Sequence, residues 1–410
     1  MPYQRAVLPP RTDLRTWRKR VAAKAAVHAE DLYEWLKSRV LIEVTPPTDD
    51  PFYRAPDELG AFRPGEVLEG RPVQVRGVRH VIEADAWHVK FRSTDGQGAP
   101  SWGVATVMIP RRRFRGPVRP LLSYQCAIDA LGATADPSYT LRRGDQLEFP
   151  FIALALRRGW AVVTTDFNGP QHAFGAYPLV ARFVLDGIRA AICFEPAGFD
   201  ATTPIGLWGY SGGALATLFA VEKQAAYAPE LNLVGAAGGG AGVDITSSPQ
   251  MFEDGNLLSG IPFCAVIGMS RGFPDVELHS VLTSQGQAMV AAAAEMTMEQ
   301  LVASFAFVRL SDYLTVPSVF EIPGMRAAFE QHGRLGGATP MVPMHLYHAV
   351  HDKYPAVADM DKLVKKYRRE GVDVTYRRFR FGGHMTAVFT GLPGSLRFLS
   401  ERFASPNAAG

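Results

Sequence analysis

Short apolar runs alternate with longer amphipathic ones along most of this chain. From about Trp87, the segments WHVKFRS and GVATVMIP predict a hairpin pair. PLLSYQCAI predicts a buried strand, EFPFIALALRRG a helix and WAVVTTDF the next strand. A helix over YPLVARFVLDGIRAAICF, a strand over IGLWGY and a helix over GALATLFAVEKQAAYA follow. This order is that of an α/β protein whose mostly parallel sheet is covered on both faces by helices.

The rhythm breaks after the glycine-rich AAGGGAGVD. Residues from about 240 to 335, including QAMVAAAAEMTMEQLVASFAF, predict a helical insertion between two sheet strands, the arrangement of a lid or cap. Strand signals return in TPMVPMHLYHAV and DVTYRRFRF, with the amphipathic VADMDKLVKKYRRE between them, and SLRFLSERFA predicts a closing helix. Upstream, TPPTDDPFYRAPDELGAFRPGEVLEGRPV is rich in Pro, Gly and Asp and predicts an extended segment with little regular structure. Before it, Val21, Ala25, Leu32, Trp35 and Leu36 alternate with charges as in an amphipathic helix. The expected division is therefore 1–48 (N-terminal helix and linker), 49–238 (first part of the core), 239–335 (helical cap) and 336–410 (second part of the core).

Composition narrows the function classes. A chain of 410 residues, 47% of them hydrophobic, can bury a large core. A net charge of +3 with 20% charged residues gives no electrostatic case for nucleic-acid binding. The cluster Arg111, Arg112, Arg113 and Arg115 has no aromatic platform beside it and reads as a solvated loop. Cys126, Cys193 and Cys264 are too few and too scattered for a zinc site or a disulfide framework. No run of 18 apolar residues predicts a membrane span, and the N-terminal stretch is too polar for a signal-peptide core. The expected location is cytoplasmic for the chain as it stands, or exported if a leader has been trimmed away. The N-terminal helix is a candidate to cover the cap, to pack on the sheet or to join a homodimer.

Two segments carry Gly-x-Ser-x-Gly: GYSGG around Ser211 and GMSRG around Ser270. A nucleophile elbow needs a strand, a sharp turn and an immediate helix, with small residues where strand and helix approach. Ser211 is followed by Gly212, Gly213, Ala214 and Ala216 and then by helix formers. Ser270 is followed by Arg271 and Phe273, with Gly272 and Pro274 to break a helix, so Ser211 is the expected nucleophile. A serine hydroxyl needs a histidine to take its proton and a carboxylate to hold that imidazole. In α/β hydrolases the acid and then the histidine follow the serine in the chain. His279, His332, His345, His348, His351 and His384 all qualify by order.

His384, in the glycine-softened RFRFGGHMTAVF between the last strand and the last helix, is the expected base. HLYHAVHD resembles a metal cluster, yet His345 and His348 point to opposite faces of a strand and read as packed residues. Asp352, at the end of that strand, is the expected acid. Asp359 and Asp361 lie in the first turns of the next helix, where the helix dipole favours them, and Asp166 precedes the serine. Gly212 N–H is one expected oxyanion donor. The other comes from the loop after PLLSYQCAI, with the Asp129 backbone N–H as first choice and Ala130 its alternative.

Several segments, spread over roughly residues 50 to 400, resemble the secretory lipase family typified by the fungal lipase A enzymes, which has bacterial members. They are DPFYRAPDELGAFRPGEVL, SYQCAIDALGATADPSY, VLDGIRA, GYSGGALAT, HAVHDKYP and GGHMTAVFTGLPGSLRFL. The resemblance implies an α/β-hydrolase fold with a helical cap after the elbow helix, and activity on acyl esters. It implies Ser211 as nucleophile, Asp352 as acid, His384 as base and Asp129 with Gly212 as the oxyanion pair. Three features depart from the family: no export signal, no obvious set of disulfide cysteines, and only 26 residues (410 minus 384) after His384, where fungal members have a longer tail. The expected function is hydrolysis of an acyl ester or lipid through an acyl-enzyme, without metal or organic cofactor. The same triad could serve an acyltransferase, and a non-catalytic binding protein on this scaffold is a third reading.

Overall fold

The computed structural model describes residues 42–404 except 78–80, 248, 257 and 353–354. The expected N-terminal amphipathic helix lies outside the described residues. In chain order come β1 (Val67–Pro72), β2 (Ala84–Thr94), β3 (Pro100–Pro110), β4 (Leu121–Gln125), α1 (Pro137–Arg143), α2 (Phe149–Arg157), β5 (Ala161–Thr165), α3 (Tyr177–Cys193), β6 (Ile205–Tyr210), α4 (Gly212–Tyr227) and β7 (Leu233–Gly239). The helices α5 (Gln250–Glu253), α6 (Gly260–Gly272), α7 (Ser284–Ala293), α8 (Met298–Phe305) and α9 (Met325–His332) follow. β8 (Met344–Ala349), α10 (Val357–Arg369), β9 (Val374–Phe379) and α11 (His384–Ala404) complete the chain.

The strands form one nine-stranded sheet among the described residues, ordered β1-β2-β3-β5-β4-β6-β7-β8-β9. β1, β2, β3 and β5 pair antiparallel in that order, and from β5 to β9 every pair is parallel. The central strands are buried on both faces, which is why LLSYQ, AVVTT and IGLWGY are not cleanly alternating. Successive side chains still part company. Leu121, Val163 and Leu207 join the core beneath α3 and α4, while Leu122, Val162 and Trp208 join the core beneath α2 and α11. At about 25 cal/mol per Å² of apolar surface, these two layers hold the sheet between them.

Among the described residues, the segment between β7 and β8 contributes no strand to the sheet and builds a hydrophobic core around Phe263, Val266, Leu301, Met325 and Phe329. No described helix is long and apolar enough to cross a membrane. The three cysteines are free.

Three expectations need correction. β1 runs through the segment expected to lack regular structure, paired antiparallel with β2. β7, LVGAAGG, is a strand that was not expected, just ahead of the point where the rhythm breaks. Its glycines carry no apolar signal, but a Cβ on Gly239 would sit 2.1 Å from the Tyr347 ring, so only glycine fits there. The closing helix begins at His384 and not near Ser395, with Pro393 inside it. Buried Ala387, Gly391, Ser395, Leu396 and Leu399 anchor it on both sides of the proline, and that packing outweighs the missing backbone hydrogen bond. The apolar run before Ser270 is helix α6, which ends at Gly272, within one turn of the serine, where Gly272 and Pro274 are expected to break it.

Candidate active site

Ser211 stands alone between β6 and α4, with φ 54° and ψ −119°, a conformation that L-residues rarely adopt. Its neighbours enforce that turn. Ser211 N–H donates to the Gly239 carbonyl at 2.8 Å, and Leu215 N–H donates back to the Ser211 carbonyl at 3.0 Å. A Cβ on Gly213 would lie 2.0 Å from the Gln125 carbonyl oxygen, so helix α4 approaches the end of β4 backbone to backbone. The serine side chain is thereby turned out of the sheet at the head of α4.

His384 meets it there. The Ser211 hydroxyl lies 2.8 Å from His384 Nε2, and His384 Nδ1 lies 2.7 Å from Asp352 Oδ2. A carboxylate only accepts, so Nδ1 carries the proton and Nε2 is left to accept from the serine. The Asp352 side chain is 4% exposed and that of His384 23%, so the relay is inside yet reachable. Tyr210, the residue before the serine, donates its hydroxyl to the His384 carbonyl.

The other candidates go elsewhere. His345 packs 5.8 Å from the Phe398 ring, and burial holds its imidazole down to about 4. His348, on the opposite face of β8, donates from Nε2 to the Pro355 carbonyl at 3.0 Å and stands 3.7 Å from Asp352 Oδ2. Burial depresses it too, so a neutral ring sits behind the acid. His332 stacks on Phe273 at 4.4 Å. Asp359 accepts from Ser247 and Asp361 from Tyr376. Asp166 accepts from the Ser138 amide and hydroxyl, and burial pushes its carboxyl up to about 7. The Ser270 hydroxyl donates to the Ile267 carbonyl inside its own helix. Among the described residues no group of three His, Cys, Asp or Glu is placed to hold a metal.

Asp129 lies against the head of α4. A Cβ on Gly212 would be 2.1 Å from Asp129 Oδ1, and that oxygen is buried without a hydrogen-bond partner. Burial pushes the carboxyl up to about 6, with the charge of His384 acting in the opposite direction. The loop carrying it is clamped by side chains that sequence reading missed. Ala127 N–H donates to Glu148 Oε2 at 2.6 Å, and Asn168 Nδ2 donates to the Ile128 carbonyl at 3.0 Å. Glu148 also accepts from Tyr124 at 2.8 Å, and burial pushes it up to about 7. Only the position of Glu148 at the head of the helical run EFPFI hinted at a cap, and Asn168 left no local signal at all.

Taken together, a strained serine at a helix head, an imidazole and a buried carboxylate stand in continuous hydrogen-bond contact, the arrangement a proton relay requires. The chain is similar to known lipases. A family model described as secretory lipase matches residues 138–410. A Mycobacterium tuberculosis protein described as a probable inactive lipase is 36% identical over 370 residues, covering 87% of this chain and 82% of its own. Lipase A of Arthroderma benhamiae is 32% identical over 378 residues, covering 87% and 80%. The X-ray structure of Candida antarctica lipase A in its closed state superposes with a TM-score of 0.82 at 27% identity, covering 90% of this chain and 89% of that one.

Proposed function

The chain belongs to the secretory lipase family, a carboxylic ester hydrolase of α/β-hydrolase fold, and on that premise we propose that Ser211, His384 and Asp352 perform its chemistry through an acyl-enzyme. Ser211 Oγ attacks the ester carbonyl while His384 Nε2 takes its proton. Asp352 holds the ring in the required tautomer and stabilises the imidazolium. The oxyanion that forms is received by the backbone N–H of Gly212, favoured by the positive end of α4, and by that of Asp129. His384 then returns its proton to the departing alcohol. A water enters, gives a proton to His384 and its oxygen to the acyl carbon, and the acid leaves with Ser211 restored.

What carries this reading is the continuous contact from Ser211 through His384 to Asp352, at 2.8 and 2.7 Å. It matters here because the 36%-identical relative is described as a probable inactive lipase. Activity in this chain therefore rests on its own side chains and not on kinship. The ester or lipid substrate enters above the sheet, and the helical segment between β7 and β8 acts as the cap that selects it.

A fluorophosphonate probe tests the assignment. Labelling should map to the peptide containing Ser211 and vanish in Ser211→Ala. Labelling of Ser270 instead, or of neither serine, overturns it. A series of p-nitrophenyl esters from acetate to palmitate, with a triglyceride emulsion alongside, then separates an esterase from a lipase.

A further inference from the structure

The second Gly-x-Ser-x-Gly segment has an arginine where an elbow would need a small residue, and that arginine has a place in the fold. Arg271, the penultimate residue of α6, donates from Nη1 to the Leu131 carbonyl at 3.0 Å and to the Gln171 carbonyl at 3.3 Å. Its Nη2 donates to the Ala294 carbonyl at 3.5 Å, just past α7. One guanidinium thus gathers backbone from three segments: the loop after β4, the loop after β5 and the helical insertion. No ion pair to Arg271 is formed among the described residues, so its planar fork is given over to peptide carbonyls.

Two further observations, independent of the arginine, place the same joint. Ala130 and Leu131, at 1% and 0% exposure, pack into the core of the insertion with Phe263, Cys264 and Ala293, and not into either core of the sheet. Next to them, a Cβ on Gly132 would lie 2.6 Å from the Glu295 carbonyl oxygen, so the loop and the α7–α8 junction touch backbone to backbone. The loop after β4 is therefore fixed at Ala127 to the head of α2, at Ile128 to the loop after β5, and to the insertion from Ala130 to Gly132. Asp129 sits between these attachments.

We propose that Arg271 is a positioning residue for the oxyanion hole, locking the loop that presents the Asp129 N–H to the helical insertion. The proposal rests on the reading of Asp129 and Gly212 as the oxyanion donors. It follows that the hole is complete only when the insertion is seated, so cap placement and transition-state stabilisation are one event. A small displacement of an oxyanion donor is enough to slow acylation by about one to two orders of magnitude.

The test compares full-length wild type, Arg271→Met, Arg271→Lys and Ser270→Ala on a short, soluble p-nitrophenyl ester, with active sites counted by fluorophosphonate titration to completion. Arg271→Met should lose about 10- to 100-fold in kcat per titrated site with KM within about threefold. The Ki of a trifluoromethyl ketone, whose serine adduct carries an oxyanion, should rise by the same factor. Arg271→Lys, which keeps the charge as a single point donor, should fall between. Added guanidinium ion should restore part of the kcat of Arg271→Met, and Ser270→Ala should match wild type. A merely structural arginine would lower the melting temperature and the titratable fraction while leaving kcat per site intact, and that result overturns the proposal. So does a change confined to KM. If Arg271→Met does not fold, unchanged kcat and Ki in Arg271→Lys decide against it. Failure of wild type to label at Ser211 removes the reading beneath it, and is distinguished by appearing before any arginine variant is compared.

Discussion

The hydroxyl of Tyr210 donates to the backbone carbonyl of His384 at 2.5 Å, joining the residue before the proposed nucleophile to its proposed base across 174 positions of sequence. The rings of the two residues stand 5.1 Å apart as well. Tyr210→Phe keeps the ring and removes only the tie. It should cost about 1 kcal/mol of stability, and about tenfold in kcat as the imidazole loses its register. Stability read by denaturant melting and kcat read per titrated site separate the two effects. An unchanged kcat would mean that the Asp352 contact alone fixes the ring.

Removing the carboxylate while keeping its shape should be far more damaging. Asp352→Asn presents an amide N–H or a neutral oxygen to His384 and no longer selects the tautomer with its proton on Nδ1. A loss of about 10⁴-fold in kcat is expected, with the fold intact by circular dichroism. A loss below about tenfold would show that another group orients His384.

The carboxyl of Asp129 adds a pH signature. It is held up to about 6 by burial and lies against Gly212, beside the proposed oxyanion. Below that pH it is neutral; above it, a negative charge faces the charge developing in the transition state. Asp129→Asn removes this charge and keeps the backbone donor. The ratio of variant to wild-type kcat should therefore rise as pH increases through about 6. A ratio that is flat from pH 5 to 8 would mean that the side chain does not sense the oxyanion.

Gly213→Ala tests the elbow itself. Alanine would gain up to about 1 kcal/mol in helix propensity. Its Cβ would meet the Gln125 carbonyl at 2.0 Å, with backbone on both sides and nothing able to give way. The overlap should win by roughly 3 kcal/mol or more, seen as a lower melting temperature and a displaced Ser211. A stable, active variant would show that α4 can slide on β4.

Far from the serine, Glu222 of α4 binds the chain returning from the insertion. It accepts from the amides of Gly336 at 2.6 Å, Gly337 at 3.2 Å and Ala338 at 3.4 Å, and from the Tyr367 hydroxyl. Glu222→Ala leaves three amides and a buried phenol without their acceptor and should cost about 2 to 4 kcal/mol. Activity per titrated site should be nearly unchanged below the melting range. A large drop in kcat would extend the active-site framework to this carboxylate.

Much of this was legible in the linear chain because local chemistry and chain order agree there. GYSGGALAT states strand, turn and helix in nine letters, and the order Ser211, Asp352, His384 leaves few partners to choose from. IGLWGY coincides with β6 to the residue. What was hidden depends on contacts between distant segments. β7 is rich in glycine because Tyr347 fills the space a side chain at Gly239 would take, and Arg402 and Phe398 crowd the space at Gly235, so the usual apolar signature is weak. The early start of α11 was masked by Pro393, since propensity cannot register the packing of Ala387 and Gly391. Glu148, Asn168 and Arg271 act by reaching backbone groups 21, 40 and 140 positions away, a relation no periodicity encodes.

The left-handed backbone at Ser211, φ 54°, carries a price of about 1 to 3 kcal/mol wherever a side chain bears a Cβ. Ser211→Gly should accordingly melt higher than both wild type and Ser211→Ala, which retains the Cβ. Durability and reactivity are set against each other at one atom: a version of this molecule with nothing to catalyse would be the harder one to denature.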